Sequence, residues 1–169
     1  MLKFVLNALL AMSVSLSTIS GRCADVKSYI DPSYGFSISY PTDFTVRPQD
    51  VSMLAIFTPV PVVSIFFMNP TMASGDLAGI EPPDLEIRVY QAREADSLKG
   101  WLVSVRFATT ENVSAAKPYR NPSVSGLKVC QSMFAPGCSV YIFHNGRVYQ
   151  LTPISQEGEA MIETFALSP

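Results

Sequence analysis

The sequence predicts an α+β protein in which a central, mostly antiparallel sheet is flanked by helices on both faces. Several short segments alternate apolar and polar residues with the period of two that a half-buried strand requires. Asn145-Gly146 joins two of them as a type I′ hairpin, and the register it fixes puts apolar residues on both faces of the pair. Two further segments carry apolar residues at helical spacing, one mid-chain and one at the end, which supplies a cover for each face. At 169 residues, 48% hydrophobic and 15% charged, the chain is long enough for one domain with a sizeable core.

Met1-Leu2-Lys3 is a short positive segment followed by an apolar run to Ile19, the pattern of an export signal. Residues 1–23 are therefore expected to be a signal peptide and residues 24–169 a single domain, secreted or periplasmic. An uncleaved anchor is the competing reading. Against it, Asn7, Ser13, Ser15 and Ser17 interrupt the run, which falls short of the roughly 20 apolar residues of a spanning helix. Lipidation at Cys23 is disfavoured by Arg22, which stands where a small residue is expected. Loss of residues 1–23 removes two cations and no acid, so the formal charge moves from −2 to −4. A mildly acidic domain with no cluster of lysine and arginine speaks against nucleic acid as a partner.

Residues 28–30 and 36–40 read as a hairpin, with Asp31, Pro32 and Gly35 supplying the turn chemistry. Phe36, Ile38 and Tyr40 share one side and Pro41 ends the run, as at a sheet edge. Residues 51–75 carry no charge. Pro59 and Pro61 argue against a membrane segment there, and two buried strands are expected near 53–58 and 62–68. Residues 69–84 read as an exposed loop, and 85–90 alternate as a strand. Asp96 or Ser97 caps a helix bearing Leu98, Trp101, Leu102 and Val105 at i, i+3, i+4 and i+7. Residues 109–125, polar and holding Pro118 and Pro122, read as a second long loop. Strands follow at 126–131, 139–144 and 147–152, with Phe143 opposite Val148 and Val140 opposite Leu151. A closing helix over 157–167 buries Met161, Ile162 and Phe165.

Cys130 and Cys138 remain as a pair once Cys23 is removed. Facing each other across a hairpin centred on Phe134, they predict a disulfide in an oxidising compartment. Their spacing is not that of a Cys-x-x-Cys redox motif. His144, the one histidine, precedes the Asn145-Gly146 turn and reads first as a turn residue, then as a weak candidate ligand or base. Glu81, Asp84 and Glu86 gather three carboxylates that could hold a hard cation, although solvated acidic surface is the simpler reading. Trp101, Tyr119, Tyr141 and Tyr149 could line a groove, with core the better reading for Trp101 and Tyr149. No nucleophile elbow, phosphate loop or zinc-binding helix is present.

With these pieces in order the chain resembles the PsbP-like family, the photosystem extrinsic protein PsbP and its secreted bacterial relatives. The matching residues are Tyr34-Gly35-Phe36-Ser37-Ile38-Ser39-Tyr40-Pro41-Thr42-Asp43-Phe44, the segment from Tyr141 to Leu151, and Met161-Ile162-Glu163-Thr164-Phe165. The resemblance implies an α/β/α sandwich that binds partners without catalysis. The expected function is thus a secreted or periplasmic non-catalytic accessory or binding domain, with no cofactor and a protein partner in the cell envelope, as a monomer or weak dimer. Partner contacts are expected from residues 69–84 and 109–125. The alternative is a small hydrolase or metal-dependent enzyme of the envelope, which requires His144 or the Glu81, Asp84 and Glu86 group to meet a second catalytic group. A purely structural envelope protein is the third possibility.

Overall fold

A computed structural model describes residues 25–54, 59–74, 82–92, 97–131 and 137–168. The chain opens with β1 (Val26–Asp31) and β2 (Phe36–Pro41). Asp31 Oδ1 accepts the N–H groups of Ser33 and Tyr34, each at 3.0 Å, and Gly35 takes φ 68°, so the turn forms on the residues that predict it. Next comes β3 (Thr45–Pro48), which the sequence pattern does not announce, since Val46 is its one apolar inward residue. Residues 51–54 form a 3-10 turn where the first uncharged strand was expected to begin. The rest of that expectation, residues 55–58, lies outside the described residues.

β4 (Val63–Met68), the short helix α1 (Pro70–Ser74), β5 (Leu85–Gln91) and α2 (Leu98–Ser104) follow. Ser97 caps α2 by accepting the Gly100 N–H at 3.1 Å. The expected loop over 109–125 is corrected: it contains α3 (Thr110–Ser114) and a strand, β6 (Lys117–Arg120). Each buries a single side chain, Val113 or Tyr119, too few to show a period. The last third is the expected meander, β7 (Ser125–Gln131), β8 (Gly137–His144) and β9 (Arg147–Pro153), with Phe143 opposite Val148 and Val140 opposite Leu151. The closing helix is shorter than expected. α4 (Gln156–Ile162) stops, the chain turns, and β10 (Ala166–Leu167) pairs with β2 at Ser37 and Phe36, where its backbone groups find partners.

Seven strands form one antiparallel sheet in the order β3-β4-β5-β9-β8-β7-β6, and β1-β2-β10 form a second. The opening hairpin is therefore not an edge of the large sheet. It lies across it, because Phe36 and Ile38 satisfy their alternation equally well against another sheet's face. On this first face, Phe36 and Ile38 from β2, Met161 and Ile162 from α4, and Phe165 pack with Ile65, Ile87, Ile142 and Leu151. On the second face, Trp101 and Leu102 from α2 and Val113 from α3 pack with Tyr90, Val129, Tyr141 and Val148. Helices thus lie against both faces, as the apolar register of β8 and β9 requires.

Candidate functional site

The second face is divided. Helices α2 and α3 pack on its Tyr90, Tyr141 and Val148 part, while beyond them β4, β5 and β9 carry mostly polar residues, with Phe66 opposite Glu86 the exception. Ser64, Arg88 and Gln150 form one cross-strand row, and Glu86 pairs with Thr152 in the next. Ser64 donates to Glu86 Oε1 at 2.9 Å, Arg88 pairs with the same oxygen, Tyr90 donates to Gln150 Oε1 at 3.0 Å, and the Ser139 and Thr152 hydroxyls lie 2.9 Å apart. The Glu86 and Arg88 side chains are only 12% and 22% exposed, so this pair is shielded from most solvent screening. Burial opposes the Arg88 charge, but Glu86 and Tyr90 outweigh it and hold its pKa above the ordinary value. Burial pushes the Tyr90 and Tyr141 phenols up to about 12. Each polar group here has a partner, which makes the row a structural network rather than a set of groups poised for chemistry.

The candidate residues from the sequence are dispersed. Asp84 is buried at the start of β5, where its carboxylate accepts Asn69 N–H at 2.7 Å and Asn69 Nδ2 at 3.3 Å. Asn69 in turn accepts Met72 N–H at 3.0 Å, so Asp84 fixes the start of α1. Glu86 is held by Arg88, and Glu81 lies outside the described residues. His144 pairs across the β8–β9 turn with Arg147, which pairs with Gln91 on β5. Five residues along β5 separate that position from Glu86, about 17 Å. Strand alternation also puts His144 on the Ile142 side of the sheet and Glu86 on the other. The His144 Nε2 is buried with no hydrogen-bond partner among the described residues. Among the described residues no three His, Cys, Asp or Glu side chains gather as a metal site. Cys130 and Cys138 pair directly across β7 and β8 and form the disulfide. Trp101, Tyr119, Tyr141 and Tyr149 are all buried, so none of the four rings supplies an exposed groove wall.

The sequence reading missed a charge pattern that the fold assembles. Residues 97–128 hold five cations and one acid, a net +4; since the whole chain carries −2, the remainder carries −6. These residues build α2, α3, β6 and β7, one end of the large sheet. Lys128 is tied to Glu159 at 2.9 Å. Lys99, Arg106, Lys117 and Arg120 are exposed and make no ion pair with a described residue. Arg106 sits at φ 60° just past α2. There its N–H donates to Val103 O at 3.1 Å and Phe107 N–H to Leu102 O at 3.0 Å, a helix stop that glycine normally fills.

Within this corner the first turn of α2 and the β6–β7 hairpin enclose a cleft of about 350 Å³. The hairpin is anchored from beneath. Tyr119 donates to Ile162 O at 2.7 Å, and Asn121 Nδ2 donates to Phe165 O at 2.9 Å while its Oδ1 accepts Ser123 and Val124 N–H, each at 2.8 Å. Burial, with the Glu163 charge adding to it, pushes the Tyr119 phenol up to about 12, so it stays a donor at neutral pH. A second cleft, about 540 Å³, has Phe44 and Met72 in its lining and Asp43 and Glu157 among its acids.

No protein-family model matches the chain, and no curated protein matches it. Among solved structures, a protein from Bacteroides thetaiotaomicron VPI-5482 is similar over 85% of this chain, with TM-score 0.52 and 14% identity. The match spans 48% of that protein's length. Cyanobacterial PsbP (CyanoP) from Synechocystis sp. PCC 6803 is similar over 90% of this chain and 98% of its own, with 15% identity and TM-score 0.48. The Bacteroides likeness shows the fold alone.

Proposed function

We propose that the chain is an exported, non-catalytic accessory domain that binds a partner in the cell envelope through its cationic corner. Residues 1–23 act as the signal and residues 24–169 as the binding domain. The disulfide and the N-terminal pattern both support an oxidising, extracytoplasmic compartment. The observation that carries the reading is the charge segregation. Four exposed cations with no ion pair to a described residue stand at one end of an otherwise acidic molecule, and such a charge distribution focuses potential toward an anionic partner while the net charge stays negative. Residues 117–120, in the second of the two expected contact segments, supply two of the four. The acid-rimmed cleft borders the first, through Asn69 to Met72.

The hydrolase reading is not favoured, because His144 and Glu86 occupy opposite faces of the sheet at separate rows. Co-sedimentation with the native envelope tests the proposal. Wild-type protein is expected to be retained at low salt and released at high salt. A variant with Lys99, Arg106, Lys117 and Arg120 all changed to Gln is expected to be lost at either. Equal retention of both proteins, with no salt dependence, would overturn the assignment.

A further inference from the structure

The cleft between α2 and the β6–β7 hairpin joins two chemistries. Its floor is apolar: Pro118 and Leu127 face each other across the hairpin, with Leu98 of α2 beside them. Its polar lining comes from Ser97 and Lys99 at the start of α2 and from Arg120 and Ser125, which lie opposite each other on the hairpin. Arg106 stands outside the cleft just past α2, and Lys117 alternates with Pro118 onto the Tyr119 side of β6. A carboxylate or phosphate requires cationic and neutral donors on one side, and a hydrocarbon body requires contact without donors on the other. The volume, about 350 Å³, is at the small end of the range for small-molecule sites. The geometry points to an amphipathic anion, an apolar body carrying one phosphate or carboxylate head, as the ligand class of this cleft. The assignment rests on the reading of the cationic corner as the contact surface.

Other anionic partners fit less well. An inorganic ion makes no use of the Pro118, Leu127 and Leu98 floor. Single-stranded nucleic acid stacks its bases on exposed aromatic rings, whereas the one ring lining this cleft, Tyr119, is only 7% exposed and turned to the first face. An acidic peptide adding as a strand meets a blunted edge. The Asn121 N–H to Val124 O bond marks a hydrogen-bonded pair, so by alternation Pro118 and Arg120 turn their backbone groups outward. Pro118 has no N–H to offer there.

The test is calorimetric titration of the exported protein with octyl phosphate below its micellar concentration. Octyl glucoside serves as the neutral analogue and inorganic phosphate as the head alone. Octyl phosphate is expected to bind, and K99Q with R120Q to weaken it roughly tenfold or more, as loss of charge-assisted contacts does. K27Q, which alters an exposed cation on β1, is expected to leave it unchanged. The changed side chains are exposed, and a thermal melt of each variant checks that it folds. Equal binding of octyl glucoside or of inorganic phosphate would overturn the ligand class, as would binding indifferent to K99Q with R120Q. Flotation with phosphatidylglycerol against phosphatidylcholine vesicles separates two sources of the same chemistry. Flotation lost in the double variant assigns the head to a bilayer lipid; octyl phosphate binding without flotation assigns a soluble amphiphile. No octyl phosphate binding, with envelope retention intact, would remove the ligand class and leave the accessory-domain reading standing.

Discussion

The two faces of the large sheet are built from the same strands and solve burial differently. On the first face, the row Ile65, Ile87, Leu151 and Val140 is apolar across four strands, and a stack of Phe36, Tyr149 and Phe165 joins the sheet to its cover, with Phe36 and Phe165 centroids 5.6 Å apart. The second face is apolar where α2 and α3 cover it and polar along Ser64, Glu86, Arg88, Gln150 and Thr152. The difference teaches that apolar area holds one face and satisfied hydrogen bonds hold part of the other. Nondirectional burial tolerates small shifts, while a hydrogen-bonded ion pair punishes loss of either partner.

Four experiments break or sharpen that contrast. Phe165→Ala empties the stack on the first face and is expected to cost about 3–5 kcal/mol, the usual range for a buried phenylalanine, in urea unfolding. A cost under about 1 kcal/mol would show that the small sheet is not held by this core. The second test is alkaline pH. Tyr90 and Tyr141, on the second face, have folded pKa values raised to about 12 against roughly 10 unfolded. The stabilisation is full below pH 10 and is lost as pH rises toward 12, by about 3 kcal/mol for each phenol. Circular dichroism followed beside phenolate absorbance should show unfolding in that window, and Tyr90→Phe should move it upward. Complete phenol titration by pH 10 without loss of structure would contradict the buried placement.

Third, Glu86→Ala removes the carboxylate that Arg88 and Ser64 share and is expected to cost about 1–3 kcal/mol, below the value for a fully buried pair because both charged side chains keep some solvent contact. Glu86→Gln should recover part of it by keeping an acceptor for Ser64. Equal stability of both variants with wild type would mean that the polar row does not hold this face. Smallest is Arg106→Gly, which relieves a left-handed arginine and is expected to stabilise by about 0.5–1 kcal/mol in thermal melts. The same change should weaken envelope retention. Retention unchanged by it would separate Arg106 from the cationic surface.

Much of the architecture was legible before the fold. Asn145-Gly146 set the β8–β9 register because a two-residue turn leaves no freedom in pairing. Asp31 and Gly35 set the first hairpin for the same local reason. Ser97 announced α2 by its capping oxygen. Cys130 and Cys138, spaced to face each other across one hairpin, announced their bond. These signals act within a few residues, so the chain carries them in any tertiary setting.

Other features depend on contacts between distant segments. Whether Phe36 and Ile38 extend the large sheet or lie across it is invisible to alternation, and the space beside Tyr149 and Phe165 decides it. Glu86 and Arg88 read as solvent-facing in a strand of period two, yet neighbouring strands bury them. The candidate site was the least legible part. Lys99, Arg106, Lys117 and Arg120 are spread over more than twenty residues with no run among them, and only the packing of α2 beside the β6–β7 hairpin brings Lys99 and Arg120 to one cleft. The sequence by itself determined the hairpins, the caps, the disulfide and the two-faced sheet, because each rests on local geometry. The tertiary structure decided which sheet holds the opening hairpin and where the positive charge gathers, because both are set by long-range packing, which no local signal encodes.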